Sequence, residues 1–228
     1  MGNADQIAEF IRGLALWSVP VLAAVILHEV AHGTVALRLG DDTAQRMGRL
    51  TLNPLPHIDP IGTLVLPVFL FFVGAPVFGY ARPVPINYAK LRVPRRDMAL
   101  VAVAGPLTNL ALAVVSAVVF RLLYGWLGGL AASPEGAGTR LAASVLVPLA
   151  LMAQHGVVIN VVLAVFNLLP VPPLDGGRVL TSILPEAHAR RVAAIEPFGF
   201  LIVILLLTTR TLGVILELPI RLLLRVLP

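Results

Sequence analysis

The sequence contains no cysteine among its 228 residues, which excludes a disulfide framework, a thiolate metal site and a cysteine nucleophile. It also has little charge: Asp, Glu, Lys and Arg make up 13% of the chain, whereas 58% of the residues are hydrophobic. A soluble domain of this length needs more polar surface than that to cover its core. Aromatic residues are scarce as well, at 6%, which argues against an outer-membrane barrel.

The hydrophobic residues are gathered in long apolar runs. Several approach the roughly 20 residues that a helix needs to cross a bilayer, so we predict an all-α membrane protein, a polytopic bundle of about five to six transmembrane helices. The run 61–80 is interrupted by proline and glycine, and it either spans or re-enters against the protein. The other predicted spans are 14–39, 98–124, 141–169 and 192–209.

The two ends of the chain are predicted to belong to the same membrane domain, which covers residues 1–228. Ile7, Ile11 and Leu14 follow helical spacing and predict a lead-in helix at the membrane interface, and the start lacks the features of a signal peptide. A charged residue at every fourth position predicts an amphipathic helix over about 211–228, either interfacial or a sixth span. Neither an internal repeat nor a domain linker is visible.

The formal net charge of +5 is explained by basic residues in loops beside the spans rather than by a nucleic-acid partner. Loops 81–97 and 170–191 hold five and three Lys or Arg residues, and loops 40–59 and 121–140 hold two each. The positive-inside rule therefore predicts that the first pair of loops is cytoplasmic. This orientation requires the run 61–80 to span.

An HExxH pattern lies inside the first apolar run. His28 and His32 are four residues apart, so they share a helix face and their rings can converge on one metal ion. Glu29 is placed to take a proton from water that the metal polarises, as general base and then as acid. A charged residue at mid-membrane costs about 2.5–3.5 kcal/mol, and structural zinc contributes about 10–16 kcal/mol. The membrane setting thus favours a metal site over a chance match or a hydrogen-bonded polar cluster.

Two histidines do not complete a catalytic zinc site, which takes three protein ligands and keeps one position open. Asp175 stands out because the stretch NLLPVPPLDGG places it after prolines that stop a helix and before glycines that permit close backbone approach. Taken alone, however, Asp175 is better explained as the N-cap of a helix over 176–184. The other candidate ligands are His57, Asp59, His155 and Glu196.

Four motifs in order, HEVAH, NPLPHIDPIGT, AGPLTN and FNLLPVPPLDGGRVL, resemble the site-2 protease family of intramembrane zinc metalloproteases over about residues 20–184. The chain is similar to compact prokaryotic members without PDZ or CBS domains. The resemblance implies one zinc ion per chain, held by His28, His32 and Asp175, with Glu29 as catalytic acid and base and Asn167 steadying the substrate or oxyanion. It also implies a transmembrane protein substrate and a multi-pass protein of a prokaryotic cell membrane.

Other polar residues receive more modest interpretations. His57 either lines an access route or supplies interfacial polarity, and Asn109 is expected near the site. His155 and Asn160 are interpreted as interhelical hydrogen bonds, and Glu196 as a favourable charge at a helix N-terminus. The alternative function is a divalent-metal-binding or transport membrane protein, although transporters usually show internal repeats. An inactive scaffold is a weaker alternative because every expected catalytic residue type is present.

Overall fold

The computed structural model of the chain describes residues 3–72, 79–131 and 136–227, and within these ranges all regular structure is helical. The all-α class is therefore confirmed. The α-helices are α1 (Asn3–Arg38), α2 (Thr43–Arg46), α3 (Leu66–Phe72), α4 (Pro94–Ala131), α5 (Ala137–Asn167), α6 (Asp175–Ile183), α7 (Glu186–Ala193), α8 (Glu196–Thr208) and α9 (Thr211–Val226).

Three long apolar helices form the centre of the molecule. α1, α4 and α5 have 36, 38 and 31 residues, and each is long and apolar enough to cross a membrane. They pack against one another, and α6 packs against α4. Most of the predicted span 192–209 is α8, and the pair of α7 and α8, bent by 62°, would make a fourth crossing if counted as one span.

The two ends of the run 61–80 lie side by side, which agrees with the re-entrant alternative. The Asp59 carboxylate caps a π-helical turn at Pro60–Val65, which leads into α3. The N–H of Tyr80 donates to the carbonyl of Gly62 at 3.1 Å, so the two ends of the run are neighbours. The Thr63 hydroxyl closes the same contact by donating to the Tyr80 carbonyl at 3.0 Å. Residues 73–78, in the middle of this run, lie outside the described part.

The predicted placement of loops 40–59 and 81–97 on opposite sides of the membrane is wrong, because the run between them does not separate them. The N–H of Arg92 donates to the Leu39 carbonyl at 3.1 Å, and Lys90 pairs with Asp42 at 2.9 Å. Both loops therefore lie at the same end of the bundle. With loop 170–191, this end carries ten Lys or Arg residues.

An irregular segment, residues 79–87, crosses the end of α1 that leads to these loops. The N–H of Arg82 donates to the His57 carbonyl at 2.8 Å. The buried guanidinium of Arg49 donates to the carbonyls of Arg82 and Pro83 at 2.8 and 3.3 Å. The His57 carbonyl and the Arg49 side chain thus supply hydrogen bonds that a neighbouring strand would supply in a sheet.

Asp41 fixes the far end of this segment. Its buried carboxylate accepts a hydrogen bond from the N–H of Asn87 at 2.6 Å and others from the N–H and hydroxyl of Thr43. Burial raises the pKa of Asp41, but these hydrogen bonds outweigh burial and hold the pKa below the usual value of 3.8. The carboxylate is therefore ionised at neutral pH and locks the segment against α1.

The two ends of the chain are helical. α1 is continuous from Asn3, so the predicted lead-in helix is the first part of α1 rather than a separate element. α9 occupies 211–226 of the stretch predicted as amphipathic, and residue 228 lies outside the described part. α9 packs against α5 and α8 and buries Leu212 and Leu216, while its Glu217 and Arg221 form an exposed ion pair.

Candidate metal centre

The two histidines of the HExxH pattern lie in the second half of α1. His28 and His32 are one helical turn apart on a face that packs against α4, and both are buried, at 7% and 5% exposure. Their Nε2 atoms are 3.0 Å apart. His28 lies about 15 Å along the axis from the end of α1 at Arg38, which is half of the hydrocarbon thickness of a bilayer.

Asp175 reaches the histidines because the chain turns sharply after α5. α5 ends at Asn167, short turns follow, and α6 begins at Asp175 itself. A Cβ atom at Gly176 would lie 2.2 Å from the Leu168 carbonyl oxygen, so the turn packs against the start of α6 only if that residue is glycine. The Asp175 Oδ2 atom lies 3.2 Å from His28 Nε2 and 3.3 Å from His32 Nε2.

The helix-capping alternative for Asp175 does not describe its position. The N-cap residue of α6 is Leu174, and no side-chain hydrogen bond caps the helix. The buried Oδ2 atom of Asp175 makes no hydrogen bond to the backbone of the described residues, and its polar neighbours are the Nε2 atoms of His28 and His32. A buried carboxylate oxygen is costly unless it is paired, so this atom is suited to a ligand shared with the histidines rather than to the helix end.

Two acceptors on α4 fix which nitrogen of each histidine carries the proton. His32 Nδ1 lies 2.7 Å from the Val101 carbonyl, which can only accept, so Nδ1 is the donor. His28 Nδ1 lies 2.5 Å from Asn109 Oδ1. The Asn109 amide group donates to Asn160 and to the Ala24 carbonyl, which leaves its oxygen as the acceptor for His28. In its neutral form, each ring would therefore present the lone pair of Nε2 towards Asp175.

Three possible metal-ligand atoms thus lie close together. The two Nε2 atoms and the Asp175 Oδ2 atom are separated by 3.0, 3.2 and 3.3 Å. A tetrahedral ion bound at about 2.0–2.1 Å holds its ligand atoms about 3.3 Å apart. The residues therefore fit a metal ion, which would also relieve the repulsion among them.

Gly105 allows α4 to approach this point. A Cβ atom there would lie 2.4 Å from His32 Nε2 and 2.6 Å from His28 Nε2. Any larger residue would therefore occupy the space between the rings and α4. Pro106 follows inside the helix, and it removes a backbone donor next to the site.

Glu29 contacts the irregular segment that covers this end of α1. Its Oε2 atom accepts a hydrogen bond from the N–H of Val84 at 2.7 Å. Pro83 and Pro85 have no N–H, so Val84 supplies the only backbone donor among these three residues. This hydrogen bond holds one carboxylate oxygen of Glu29 and so fixes the orientation of its carboxylate group.

Asn167 lies at the last position of α5, just before the turn to Asp175. Its amide donates to the Leu163 carbonyl of its own helix at 3.0 Å. The residue is half-buried. Its position in the chain therefore brings it to the turn, while its amide group is engaged within α5.

The remaining candidate ligands are not in the cluster that the described residues form. His57 is buried and donates from Nε2 to the Thr51 carbonyl at 3.0 Å, and Asp59 caps the turn at Pro60–Val65. His155 stacks on Trp17. Glu196, at the start of α8, lies 3.9 Å from Arg178.

Comparison with known proteins identifies the family. The chain is 35% identical over 191 residues to "Putative zinc metalloprotease YwhC" of Bacillus subtilis, a match that covers 84% of this chain and 79% of the relative. It is 32% identical over 214 residues to "Putative zinc metalloprotease Rip2" of Mycolicibacterium smegmatis, covering 92% of this chain and 71% of that protein. The sequence model of peptidase family M50 matches residues 127–208.

The chain belongs to peptidase family M50, the site-2 protease family. The resemblance drawn from the four sequence motifs is confirmed. No solved structure matches this M50 peptidase significantly. Family membership and the three long apolar helices together make it a membrane protein.

Some residues around the centre of this M50 peptidase were not found as site residues in the sequence. Val84 and Val101 act through backbone groups, so their residue types give no signal. Asn109 was expected near the site, but its bond to His28 follows from helix packing. Gly105 carries a signal only within AGPLTN, where a glycine inside an apolar helix indicates close packing.

Proposed function

We propose that this chain is an intramembrane zinc endopeptidase that hydrolyses peptide bonds within or near transmembrane segments of membrane proteins. The observation that carries the proposal is the convergence of His28, His32 and Asp175 beside Glu29, inside a bundle of apolar helices. Ionisable groups are costly at this depth and mark functional sites. The names of the bacterial relatives point to the same metal and the same class of reaction.

His28, His32 and Asp175 would hold the zinc ion, one per chain, through two Nε2 atoms and one carboxylate oxygen. When bound, zinc polarises water and a substrate carbonyl, which lowers the pKa of the water towards about 7. Asn109 and Val101 keep each imidazole in the tautomer that presents Nε2 to the ion.

Glu29 carries the proton transfers in this proposal. One of its carboxylate oxygens accepts from the Val84 N–H, and the other is available to take a proton from the attacking water and return it to the leaving amine. Asn167 is proposed to steady the substrate or its developing oxyanion through its amide. For this role its side chain must rotate away from the Leu163 carbonyl.

The membrane arrangement follows from the same proposal. The chain would form one domain with about five to six membrane segments, counting α8 and α9, in a prokaryotic cell membrane. The basic end of the bundle, with loops 40–59, 81–97 and 170–191, would face the cytoplasm. Its substrate would be a transmembrane helix that unwinds locally, because a helical backbone already uses its own hydrogen-bonding groups.

Measurement of metal content and cleavage together tests the proposal. The protein purified in detergent is assayed for zinc and against a panel of single-span substrates, with Glu29→Gln as the test variant. We expect about one zinc per chain in both proteins and cleavage reduced by about 10²–10⁴-fold in the variant, the range for loss of a general base. A metal transporter would instead retain metal flux in Glu29→Gln.

The matched control is Glu217→Gln, which changes an exposed carboxylate on α9 that pairs with Arg221. Its zinc content and cleavage should equal those of the wild type. Wild-type protein without metal, or full cleavage by Glu29→Gln, would overturn the proposed function.

A further inference from the structure

A cavity of about 250 Å³ lies between α1 and the re-entrant segment. One wall is formed by α1, including Val25 and Ile26, and the opposite wall by the chain around His57, Tyr80 and Ala81. The cavity does not include the metal-binding residues. It is nevertheless close to them, because both of its walls continue directly to Glu29.

The α1 wall leads to Glu29 along one helix face. Val25 and Ile26 precede Glu29 by four and three positions, so their side chains lie on the same face about 4.5–6 Å further along the axis. This direction leads away from the basic end of the bundle and towards the membrane interior. When the scissile peptide bond of a substrate lies at Glu29, the side chain of a residue beside that bond is therefore within reach of the cavity.

The opposite wall leads to Glu29 through the backbone. From Ala81 the irregular segment continues for three residues to Val84, whose N–H donates to the Glu29 carboxylate at 2.7 Å. The N–H of Arg82 is held by the His57 carbonyl at 2.8 Å. The position of this wall is therefore fixed relative to the proposed catalytic base.

The lining selects for apolar side chains. Most of it is aliphatic. Thr63 donates to the Tyr80 carbonyl at 3.0 Å and His57 Nε2 to the Thr51 carbonyl at 3.0 Å, while the buried Nδ1 atom of His57 has no partner in the described part of the chain. A charged substrate group would find no countercharge among the described lining residues. An apolar cavity of about 150 Å³ accommodates benzene, so this one is large enough for an aromatic or branched aliphatic side chain.

We propose that this cavity is the specificity subsite for an apolar side chain, aromatic or branched aliphatic, on a substrate residue that flanks the scissile bond. The inference rests on the proposed function, since it assigns the subsite to the same peptidase centre. It adds a prediction about substrate preference: cleavage is fastest when the side chain of the flanking residue fills the space between α1 and Ala81.

Substitutions that fill the cavity from opposite walls test the subsite. Val25→Phe and Ala81→Leu are compared with Leu14→Phe, a matched change on α1 at a residue that is 60% exposed. The substrates are single-span proteins that carry Ala, Leu, Phe or Asp at each position flanking the cleavage site. Zinc content is measured for every variant, to show that the metal centre remains formed.

We expect the wild type and Leu14→Phe to cleave the Leu or Phe substrate at least about 10-fold faster in kcat/KM than the Ala or Asp substrate at one position. Either filling substitution should reduce this ratio to about one, because cleavage of the Leu and Phe substrates falls more than cleavage of the Ala substrate. Val25→Ala, which enlarges the cavity, should instead favour Phe over Leu. This last variant tests the subsite even if both filling variants lose zinc.

Two results separate the inference from the proposed function. If the wild type cleaves the panel but shows no preference at any flanking position, or if the filling variants slow all substrates equally, the subsite is wrong and the peptidase function stands. If zinc-loaded wild type cleaves nothing in the panel, the proposed function fails, and the subsite fails with it.

Discussion

Histidines occur at two places within the long helices, and the two places differ in the groups that contact the imidazole rings. His28 and His32 on α1 have both ring nitrogens directed, one towards an acceptor on α4 and one towards Asp175. His155 on α5 stacks on Trp17, with ring centroids 4.1 Å apart and planes 15° apart. Its buried Nδ1 atom has no hydrogen-bond partner in the described part of the chain.

The difference shows that a histidine inside an apolar helix is not by itself a metal site. Around His28, the sequence supplies a second imidazole one turn away, and the fold supplies a carboxylate and two tautomer-fixing acceptors. Around His155, the fold supplies an aromatic face, which stabilises the ring through stacking, and the described residues place no set of converging ligand atoms there. Convergence of ligands, rather than burial of an ionisable group, distinguishes the first place from the second.

The largest expected effect on zinc affinity comes from replacing these histidines with alanine one at a time. His28→Ala removes one of three ligands from a site type worth about 10–16 kcal/mol in total, so zinc affinity should fall by about 10³-fold or more. His155→Ala should retain one zinc per chain. Competition with a chelating dye measures both affinities, and metal loss in His155→Ala with retention in His28→Ala would reverse the comparison.

A smaller effect on zinc affinity is expected at Asn109, which forms a hydrogen bond to the proposed ligand His28. Asn109→Leu removes the acceptor that orients His28, and loss of such a partner typically lowers metal affinity by about 10–100-fold. Asn160→Leu, which contacts Asn109 but not the histidine, should change affinity less. Wild-type zinc binding by Asn109→Leu would show that the tautomer is fixed by other means.

The smallest effect is expected at the stacked pair. Trp17→Leu removes an aromatic contact of a kind worth about 0.5–1.5 kcal/mol beyond its buried area. We expect a decrease of about that size in the free energy of unfolding in detergent, with zinc affinity unchanged. A loss of zinc binding in Trp17→Leu would contradict the separation between the two histidine sites.

The sequence predicted the long helices well because each apolar run exceeds the bilayer thickness by itself. It left the run 61–80 undecided, since proline and glycine at membrane depth are compatible with both a bent span and a re-entrant turn. The hydrogen bond between Tyr80 and Gly62 shows that the two ends of this run lie side by side. The error in loop placement followed from this one point, because each added span reverses the side of every later loop relative to the earlier ones.

The sequence alone determined the helical class and the pairing of His28 with His32, because both depend on spacing within a single helix. Tertiary structure decided the rest of the site. It brought Asp175 to those rings, placed Asn109 and Val101 behind them, and laid Val84 against Glu29. The physical reason is that helix period acts over a few residues, whereas these contacts depend on how α1, α4, α6 and the irregular segment pack.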